Sequence, residues 1–372
     1  MPDGDLGQTN SGPRAESRSA GAFGRGFLHD LWYFAAMSSE LKPGKLKRYE
    51  MLGEPVLIGR TRGGAAYALR DICPHRAAPL SAGALIKDGQ GVEAVRCPYH
   101  GWAFRAADGV CSSIPSLVEG QGPDPERIGV RAYPIRESQG LVFIYMASDP
   151  RAEIGAEPPR FDGVVGGGPK MVERMDFDSH IDQAVVGLMD PTHGPYVHQQ
   201  WWWRSSTKQL IKAKQFEPRE MGFAMMSHAP SKNSRAYRIL GGAPVTEITF
   251  RLPGYRWEHV KVGRRQVLAL TCLTPVTEAK TRITQIMWSD HWAFTLLKPL
   301  IRAGARTFLH QDGDMVNLQN QGLKYDPSFI WIDDADKQAK WYQALKKGWA
   351  KHRADGAPFA NPVEATTLRW KS

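Results

Sequence analysis

Two short stretches, Cys73-Pro74-His75-Arg76 and Cys97-Pro98-Tyr99-His100-Gly101-Trp102, constrain this chain more than anything else in it. Each brings one thiol and one imidazole, and each places Pro directly after its Cys. Pro fixes φ and removes an N–H donor, so both stretches read as tight loops. Their likeness predicts two similar loops closing on a common centre from opposite sides. Two Cys and two His suffice for a two-iron, two-sulfide cluster, with both thiolates on one iron and both imidazoles on the other. The rival is a structural zinc site made of the same four residues. Zinc sites usually place their Cys together and then their His. Here the order is Cys, His, Cys, His, with C-x-H and C-x-x-H spacing.

Only two other Cys exist, Cys111 and Cys272. With two of four committed to the centre there is no disulfide framework, which fits a reducing, cytoplasmic compartment. Cys111 and Cys272 read as small buried residues. At 372 residues the chain is long enough for two domains with sizeable cores. Its hydrophobic fraction of 42% and charged fraction of 23% are those of an ordinary globular protein. No apolar run approaches the roughly 18 residues of a membrane span. Residues 1–26 lack the apolar core of a secretory signal and read as a disordered tail. The net charge of +10 is spread along the chain, with no long basic block or nucleic-acid motif, so no nucleic-acid partner is expected. An acidic protein partner explains the charge equally well.

The texture from residue 27 to 150 is β. Candidate strands include Pro55–Ile58, Ala66–Leu69, Val92–Arg96 and Leu141–Met146, with turn signals at Arg62-Gly63-Gly64 and Ala107-Asp108-Gly109. Pro150 at its edge, with Pro158, Pro159, Pro169 and Gly166-Gly167-Gly168 within it, marks residues 151–170 as a linker. Residues 171–372 form the second domain. It begins with a helix, because Ile181, Ala184, Val185 and Leu188 fall at i, i+3, i+4 and i+7. Ser179 is the expected cap, with Asp182 in the third helical position. Strand-like segments follow at 208–216, 221–228, 245–252, 256–262, 266–274 and 280–288, then helices near 293–322 and 334–352. That order predicts an α+β domain with helices on one face of an antiparallel sheet.

A second constellation follows the first of these helices: Asp190-Pro191-Thr192-His193-Gly194-Pro195-Tyr196-Val197-His198. Two His with a carboxylate bind non-haem Fe(II) as a facial triad that leaves positions open for O₂. His193 and His198 are five residues apart and would not share a face of an ideal helix. Gly194 and Pro195 are expected to break the helix and let both rings turn to one metal. The competing reading makes Asp190 a helix cap and the two His hydrogen-bonded core residues.

Taken together, the Cys/His module, the linker, Asp-x-x-His-x-x-x-x-His and the α+β remainder resemble the oxygenase component of Rieske non-haem iron oxygenases. Leu188-Met189-Asp190 and Tyr196-Val197-His198 are most similar to the vanillate and dicamba O-demethylase group, and Asp190-Pro191-Thr192-His193 is also similar to the chlorophyllide and pheophorbide oxygenases. One departure is Gly187, where the demethylase group usually has Asn. The resemblance implies an all-β [2Fe-2S] domain followed by a helix-grip (START-like) catalytic domain. It further implies a third iron ligand, an Asp far downstream. Asp312 and Asp314 are the choices. Asp312 interrupts an apolar stripe with Phe308, Leu309, Met315, Val316 and Gln319, while Asp314 shares its face with His310, Gln311 and Asn317. An iron ion would supply the partner that a buried carboxylate needs; a nearby Arg would be the ordinary alternative. Asp312 is the expected ligand.

The implied activity is O₂-dependent hydroxylation or oxidative demethylation of an aromatic or other hydrophobic compound, with ring cis-dihydroxylation as the alternative. A ferredoxin or flavin-dependent reductase, fed by NAD(P)H, would reduce the cluster at Cys73, His75, Cys97 and His100. Iron would be held by His193, His198 and Asp312. Asp190 would couple the two centres across a subunit boundary, reaching His100 of a neighbouring copy in a homotrimer. Trp201-Trp202-Trp203 is a candidate cavity lining or a packing element. A different class, an electron carrier with an appended binding domain, predicts a cluster and no second iron.

Overall fold

The computed structural model describes residues 21–118, 120, 122–151, 153–198, 209–230 and 241–372. The Trp201–Trp203 run lies outside them. The first domain is built from β1 (Leu31–Met37), β2 (Leu46–Met51), β3 (Glu54–Arg60), β4 (Ala66–Arg70) and β5 (Ala84–Lys87). It continues through β6 (Glu93–Arg96), β7 (Ala103–Arg105), β8 (Cys111–Ser113), β9 (Ile135–Ser138) and β10 (Leu141–Met146). These make three small sheets, β1-β10-β9, β2-β3-β4 and β5-β6-β7-β8. The two expected turns fall between β3 and β4 and between β7 and β8. Every residue of β10 is buried, as its unbroken apolar run demands.

The second domain opens with β11 (Met171–Phe177), α1 (Ile181–Met189) and α2 (Gly194–Val197). Then come β12 (Ile211–Arg219), β13 (Gly222–His228), β14 (Val245–Arg251), β15 (Tyr255–Val262), β16 (Arg265–Thr277) and β17 (Lys280–Ser289). The chain ends with α3 (Trp292–Leu296), α4 (Lys298–Leu323), α5 (Lys337–Asp355) and β18 (Thr366–Lys371). Among the described residues one antiparallel sheet of eight strands results, in the order β11-β17-β16-β15-β14-β13-β12-β18. The strands β11 and β18 form its two edges.

The sheet has two differently covered faces. The first domain lies on the outer face, where Trp32, Phe34 and Phe143 pack with Phe161, Tyr255, Leu270 and Ile286. The helices cover the inner face. Trp341 of α5 meets Phe216 and Phe223, and Tyr342 meets Phe250. Gly313 of α4 lies against Met175 and Phe177, where an added Cβ would come within 3.3 Å of the Phe177 ring.

Two expectations need correction, and a third gains detail. The cap of α1 is His180, whose ring accepts from the Asp182 amide at 3.2 Å, so the helix starts one residue later than a Ser179 cap would place it. Asp182 is fully buried. Its carboxylate accepts from Lys346 Nζ (2.6 Å), the Tyr342 hydroxyl (2.6 Å) and the Gly24 amide (2.6 Å), while Lys346 Nζ also donates to the carbonyls of Ala22 and Arg25. Residues 22–26 are therefore fastened between α1 and α5 and do not belong to a disordered tail. The stretch 151–170, read as a linker, is anchored in its middle. Phe161 is buried, its amide and carbonyl both bond the Gln139 side chain at 2.8 Å, and Trp32 Nε1 donates to the Ala156 carbonyl.

Asp30 clasps the two ends of the first domain. Its carboxylate accepts from the Ser148 amide and hydroxyl and from Arg353 Nε of α5, at 3.1, 2.7 and 2.8 Å.

Candidate metal centres

The two Cys/His loops have the same backbone design. Cys73 N–H donates to the carbonyl of Ala78 and Cys97 N–H to that of Trp102, five residues on in each case (2.9 and 2.8 Å). The amides of Ala77 and Gly101 close the turns by donating back to the Cys carbonyls (2.9 and 3.2 Å). Both closing residues are left-handed, with φ of 56° at Ala77 and 76° at Gly101. Gly occupies that region freely and Ala does so at a cost. A Cβ at Gly101 would also come within 3.1 Å of Pro115. Asp71, fully buried two residues before Cys73, holds the first loop down: it accepts from the Ser81 amide and hydroxyl at 2.7 Å each and from Arg48 at 2.9 Å.

The thiols lie inside and the imidazoles at the surface. Cys73 and Cys97 are buried, whereas His75 is exposed and His100 partly so. The His75 ring stacks on Trp102 (4.7 Å between centroids) and stands 4.5 Å from the His100 ring. Burial pushes the Cys73 thiol up to about 11; backbone amides of His75 and Arg76 aimed at the sulfur oppose this, and the neighbouring Cys97 thiol adds to it. A bound metal would replace that proton, and the amides are already placed to stabilise a thiolate.

The donor set fits two metal ions rather than one. Ligands around a tetrahedral zinc lie roughly 3.3–3.8 Å apart, as its bond lengths require. Among the described residues, the group of three or more His, Cys, Asp or Glu whose ligand atoms lie within 4.8 Å of one another is His193, His198 and Asp312. No three of Cys73, His75, Cys97 and His100 meet that condition. Sulfurs on one side and imidazoles on the other, spread wider than one ion spans, suit a two-iron cluster.

His193, His198 and Asp312 form the second centre. His193 Nε2 and His198 Nε2 are 3.2 Å apart. Asp312 Oδ1 lies 3.7 Å from the first and 3.3 Å from the second. Gly194 and Pro195 do not simply break the helix between the imidazoles. They start the single turn α2, with His193 and His198 as its two caps. Pro suits the first turn of a helix, where its missing N–H costs nothing. One turn then swings the second ring back toward the first.

Each ring is oriented from behind. His193 Nδ1 lies 2.7 Å from the backbone carbonyl of Asp190, and His198 Nδ1 lies 3.0 Å from Gln311 Oε1. Both acceptors require the proton on Nδ1, which leaves both Nε2 lone pairs directed at the common point. The Phe308 ring, 4.3 Å from that of His198, covers its other side. Asp312 is partly buried and Asp314 exposed, so the helix phase separates the two acids as expected. The apolar stripe is narrower than expected: Leu309 and Val316 are buried, while Met315 and Gln319 are exposed.

Asp190 uses its backbone, not its carboxylate, to orient His193; the nearer carboxylate approach to Nδ1 is 3.8 Å. The carboxylate instead accepts from the Thr192 amide and hydroxyl at 2.7 and 2.6 Å through Oδ1. Asp190 caps the C-terminus of α1, where its amide bonds the Val186 carbonyl. Gln311 is a site residue that the helical pattern alone placed on the polar face with Asp314. Its neighbour Asp312 was the available signal. At Gly187 an added Cβ would meet open space.

Comparison with known proteins fits both centres. Residues 31–134 match the Rieske [2Fe-2S] domain, and residues 177–339 match the vanillate O-demethylase oxygenase C-terminal domain. The chain is 34% identical over 180 residues to the oxygenase component of dicamba O-demethylase from Stenotrophomonas maltophilia, covering 46% of this chain and 48% of that protein. It is 33% identical over 174 residues to chlorophyllide a oxygenase from Chlamydomonas reinhardtii, covering 46% of this chain and 24% of that protein. The chain thus spans about half, or less, of the length of these relatives. The crystal structure of dicamba monooxygenase bound to dicamba superposes with a TM-score of 0.72 at 22% identity, over 90% of this chain and 99% of that one.

Proposed function

Since the chain belongs to the Rieske oxygenases, joining a Rieske [2Fe-2S] domain to a vanillate O-demethylase-type catalytic domain, we propose that it is an oxygenase component that hydroxylates or oxidatively demethylates an organic substrate with O₂. The convergence of His193 Nε2, His198 Nε2 and Asp312 Oδ1 within 4.8 Å carries this reading. An electron carrier with an appended binding domain would have no use for it. Cys73, His75, Cys97 and His100 are the proposed cluster ligands, and His193, His198 and Asp312 the proposed iron ligands. When bound, the cluster supplies one-electron transfer, and the iron supplies open positions for O₂.

The protein's own residues do the positioning. The Asp190 carbonyl and Gln311 fix the tautomers of the two imidazoles, so that neither ring must lose a proton before metal binds. Phe308 shields His198 from water. Thr192 occupies one oxygen of Asp190 and leaves the other free.

We propose that the active form is a homotrimer in which Asp190 reaches His100 of the partner subunit. The layering supports this. The cluster domain lies on the outer face of the large sheet, and the His193/His198/Asp312 group lies among helices on its inner face. A path within one chain would have to cross the sheet. Asp190, 30% exposed, and the imidazole of His100 are both accessible for contact across an interface.

The proposed electron donor is a ferredoxin or a flavin-dependent reductase drawing on NAD(P)H. Exposed Arg76 and Arg96 flank the imidazoles, and a hollow beside His100 is lined by Arg96, Pro98 and Pro115. An acidic protein would be steered to such a rim. A cytoplasmic location is part of the reading, supported by the four unbridged cysteines.

Visible absorption with iron and acid-labile sulfide analysis tests the proposal. Expected are a red-brown chromophore that Cys73→Ser or Cys97→Ser abolishes, and additional iron removable by chelators without loss of colour. Substrate-dependent O₂ consumption with a surrogate reductase completes the test. Zinc without sulfide would overturn it, and a cluster without the chelatable iron would favour the electron carrier.

A further inference from the structure

The two Cys/His loops differ at one equivalent position. The residue whose carbonyl accepts from the Cys amide is Ala78 in the first loop and Trp102 in the second. The Trp102 side chain crosses to the first loop, where its ring lies parallel to that of His75, with 5° between the planes and 4.7 Å between centroids. Ala78 has only a methyl group to offer His100 in return. The ring beside His100 is its own chain neighbour Tyr99, which is 60% exposed. Of the two proposed imidazole ligands, His75 is thus the one backed by a partly buried ring from the opposite loop.

The Trp102 indole is also short of a partner. Its Nε1–H is buried and meets no acceptor among the described residues. Other indoles find one: Trp32 donates to the Ala156 carbonyl, Trp349 to that of His29 at 2.9 Å, and Trp370 to the Ser372 hydroxyl at 3.1 Å. A buried N–H without an acceptor is costly, and a buried indole usually has a partner. Trp102 packs against the small core that contains both Cys73 and Cys97. A bound cluster would use the imidazole lone pairs for iron. What it would add to this core as hydrogen-bond acceptors is sulfur, from thiolates and sulfides.

We propose that Trp102 sets the reduction potential of the cluster, by donating its indole N–H to a cluster sulfur while its face fixes the plane of the His75 ring. A donor on sulfur favours the reduced, more negative state and so raises the potential. Trp102 is a positioning residue: it acts on the chemistry at iron only through the driving force for passing an electron there. The inference rests on the cluster reading and assigns the residue that tunes that cluster.

Anaerobic redox titration of the purified holoprotein, followed by visible circular dichroism, tests the proposal without turnover. Trp102→Phe keeps an aromatic face for His75 and lacks the N–H. It should shift the reduction equilibrium toward the oxidised cluster by about tenfold, which is about 59 mV for one electron. Trp102→Leu should lower the potential at least as far and also change the electron paramagnetic resonance g-values, because His75 loses its backing. Trp349→Phe removes an indole that already has a protein acceptor and should leave the potential at the wild-type value. An unchanged potential in Trp102→Phe, or an equal shift in Trp349→Phe, overturns the inference. A second measurement needs no variant. In wild-type protein labelled with indole-¹⁵N tryptophan, pulsed electron paramagnetic resonance of the reduced cluster should show one ¹⁵N coupling in addition to the two imidazoles. Its absence overturns the inference even where Trp102→Phe fails to assemble a cluster. Iron and acid-labile sulfide analysis of the same samples reports separately on the cluster reading: zinc without sulfide would sink that reading itself.

Discussion

Nδ1 of His198 lies 3.0 Å from Oε1 of Gln311, the residue that immediately precedes Asp312 on α4. Adjacent helical residues would thus serve the proposed metal point in two ways, one with a carboxylate and one by holding an imidazole. Gln311→Leu would leave the His198 N–H without an acceptor. Such outer partners typically contribute about 10–100-fold to metal affinity, so iron retained after dialysis against graded chelator should fall by that order. Gln311→Glu, which keeps an acceptor, should retain iron. Full retention in Gln311→Leu would mean that packing against Phe308 alone orients the ring.

Asp312 and Asp314 are two residues apart and should behave in opposite ways. Asp312→Ala is expected to lose the chelatable iron and oxygenation while keeping the cluster colour. Asp314→Ala, on the exposed side of α4, should keep both metals and most activity. Parallel iron analysis decides, and equal loss in the two variants would remove Asp312 from the ligand set.

Asp190→Asn preserves the backbone carbonyl that meets His193 and one side-chain oxygen for Thr192. Cluster and most iron should therefore remain. Its second oxygen becomes an amide nitrogen, and if Asp190 bridges subunits as proposed, electron transfer from cluster to iron should slow by more than the roughly 100-fold upper range of ordinary outer-partner changes. Single-turnover oxidation of the pre-reduced cluster measures this. A wild-type rate would reduce Asp190 to a helix C-cap and turn former.

The buried Lys346–Asp182 pair makes a pH prediction. Burial pushes the Asp182 carboxyl up, but contacts with His180 and the Lys346 ammonium outweigh it and hold the group below its ordinary value. A carboxyl depressed in the folded state adds stability above its unfolded value, near 3.9. That stability is lost as pH falls through the folded value. Lys346→Met leaves Asp182 without its cation and should cost about 3–5 kcal/mol at neutral pH. Below about pH 4 the melting temperatures of wild type and variant should converge. A gap that stays constant with pH would show that the pair acts through packing only.

Gly187 sits exposed in the middle of α1 with open space where a Cβ would be. Gly187→Ala should raise stability by about 0.5–1 kcal/mol through helix propensity, read as a higher midpoint in urea. A lower midpoint would show that the space is filled in the assembled protein.

The parts legible in the sequence were those whose chemistry is local. Cys73-Pro-His and Cys97-Pro-Tyr-His each define a loop by themselves, and Leu141–Met146 is a buried strand on its apolar run alone. Asp312 was separable from Asp314 because a helix has one phase. What escaped depends on partners distant in the chain. β11 and β18 are strands only because β17 and β12 offer them an edge. Asp182 reads as an ordinary first-turn acid until Lys346, 164 residues later, is brought to it. His180 caps α1 in place of Ser179 because its ring is held between Phe27 and the Gly26 carbonyl. Gln311 has its role only once α2 turns His198 toward it.

The Asp30 clasp makes the cluster domain a cassette. Chain entry at Asp30 and exit at Ser148 are joined by hydrogen bonds, and β1 and β10, which flank them, are paired from Leu31↔Met146 onward. A segment whose two ends meet can be exchanged at a single seam. Recombination at that seam would replace the surface proposed to accept electrons and leave the inner sheet face untouched. Choice of redox partner and choice of substrate can then diverge independently, as long as the transplanted β1–β10 pair still presents residues like Trp32 and Phe143 to the outer face.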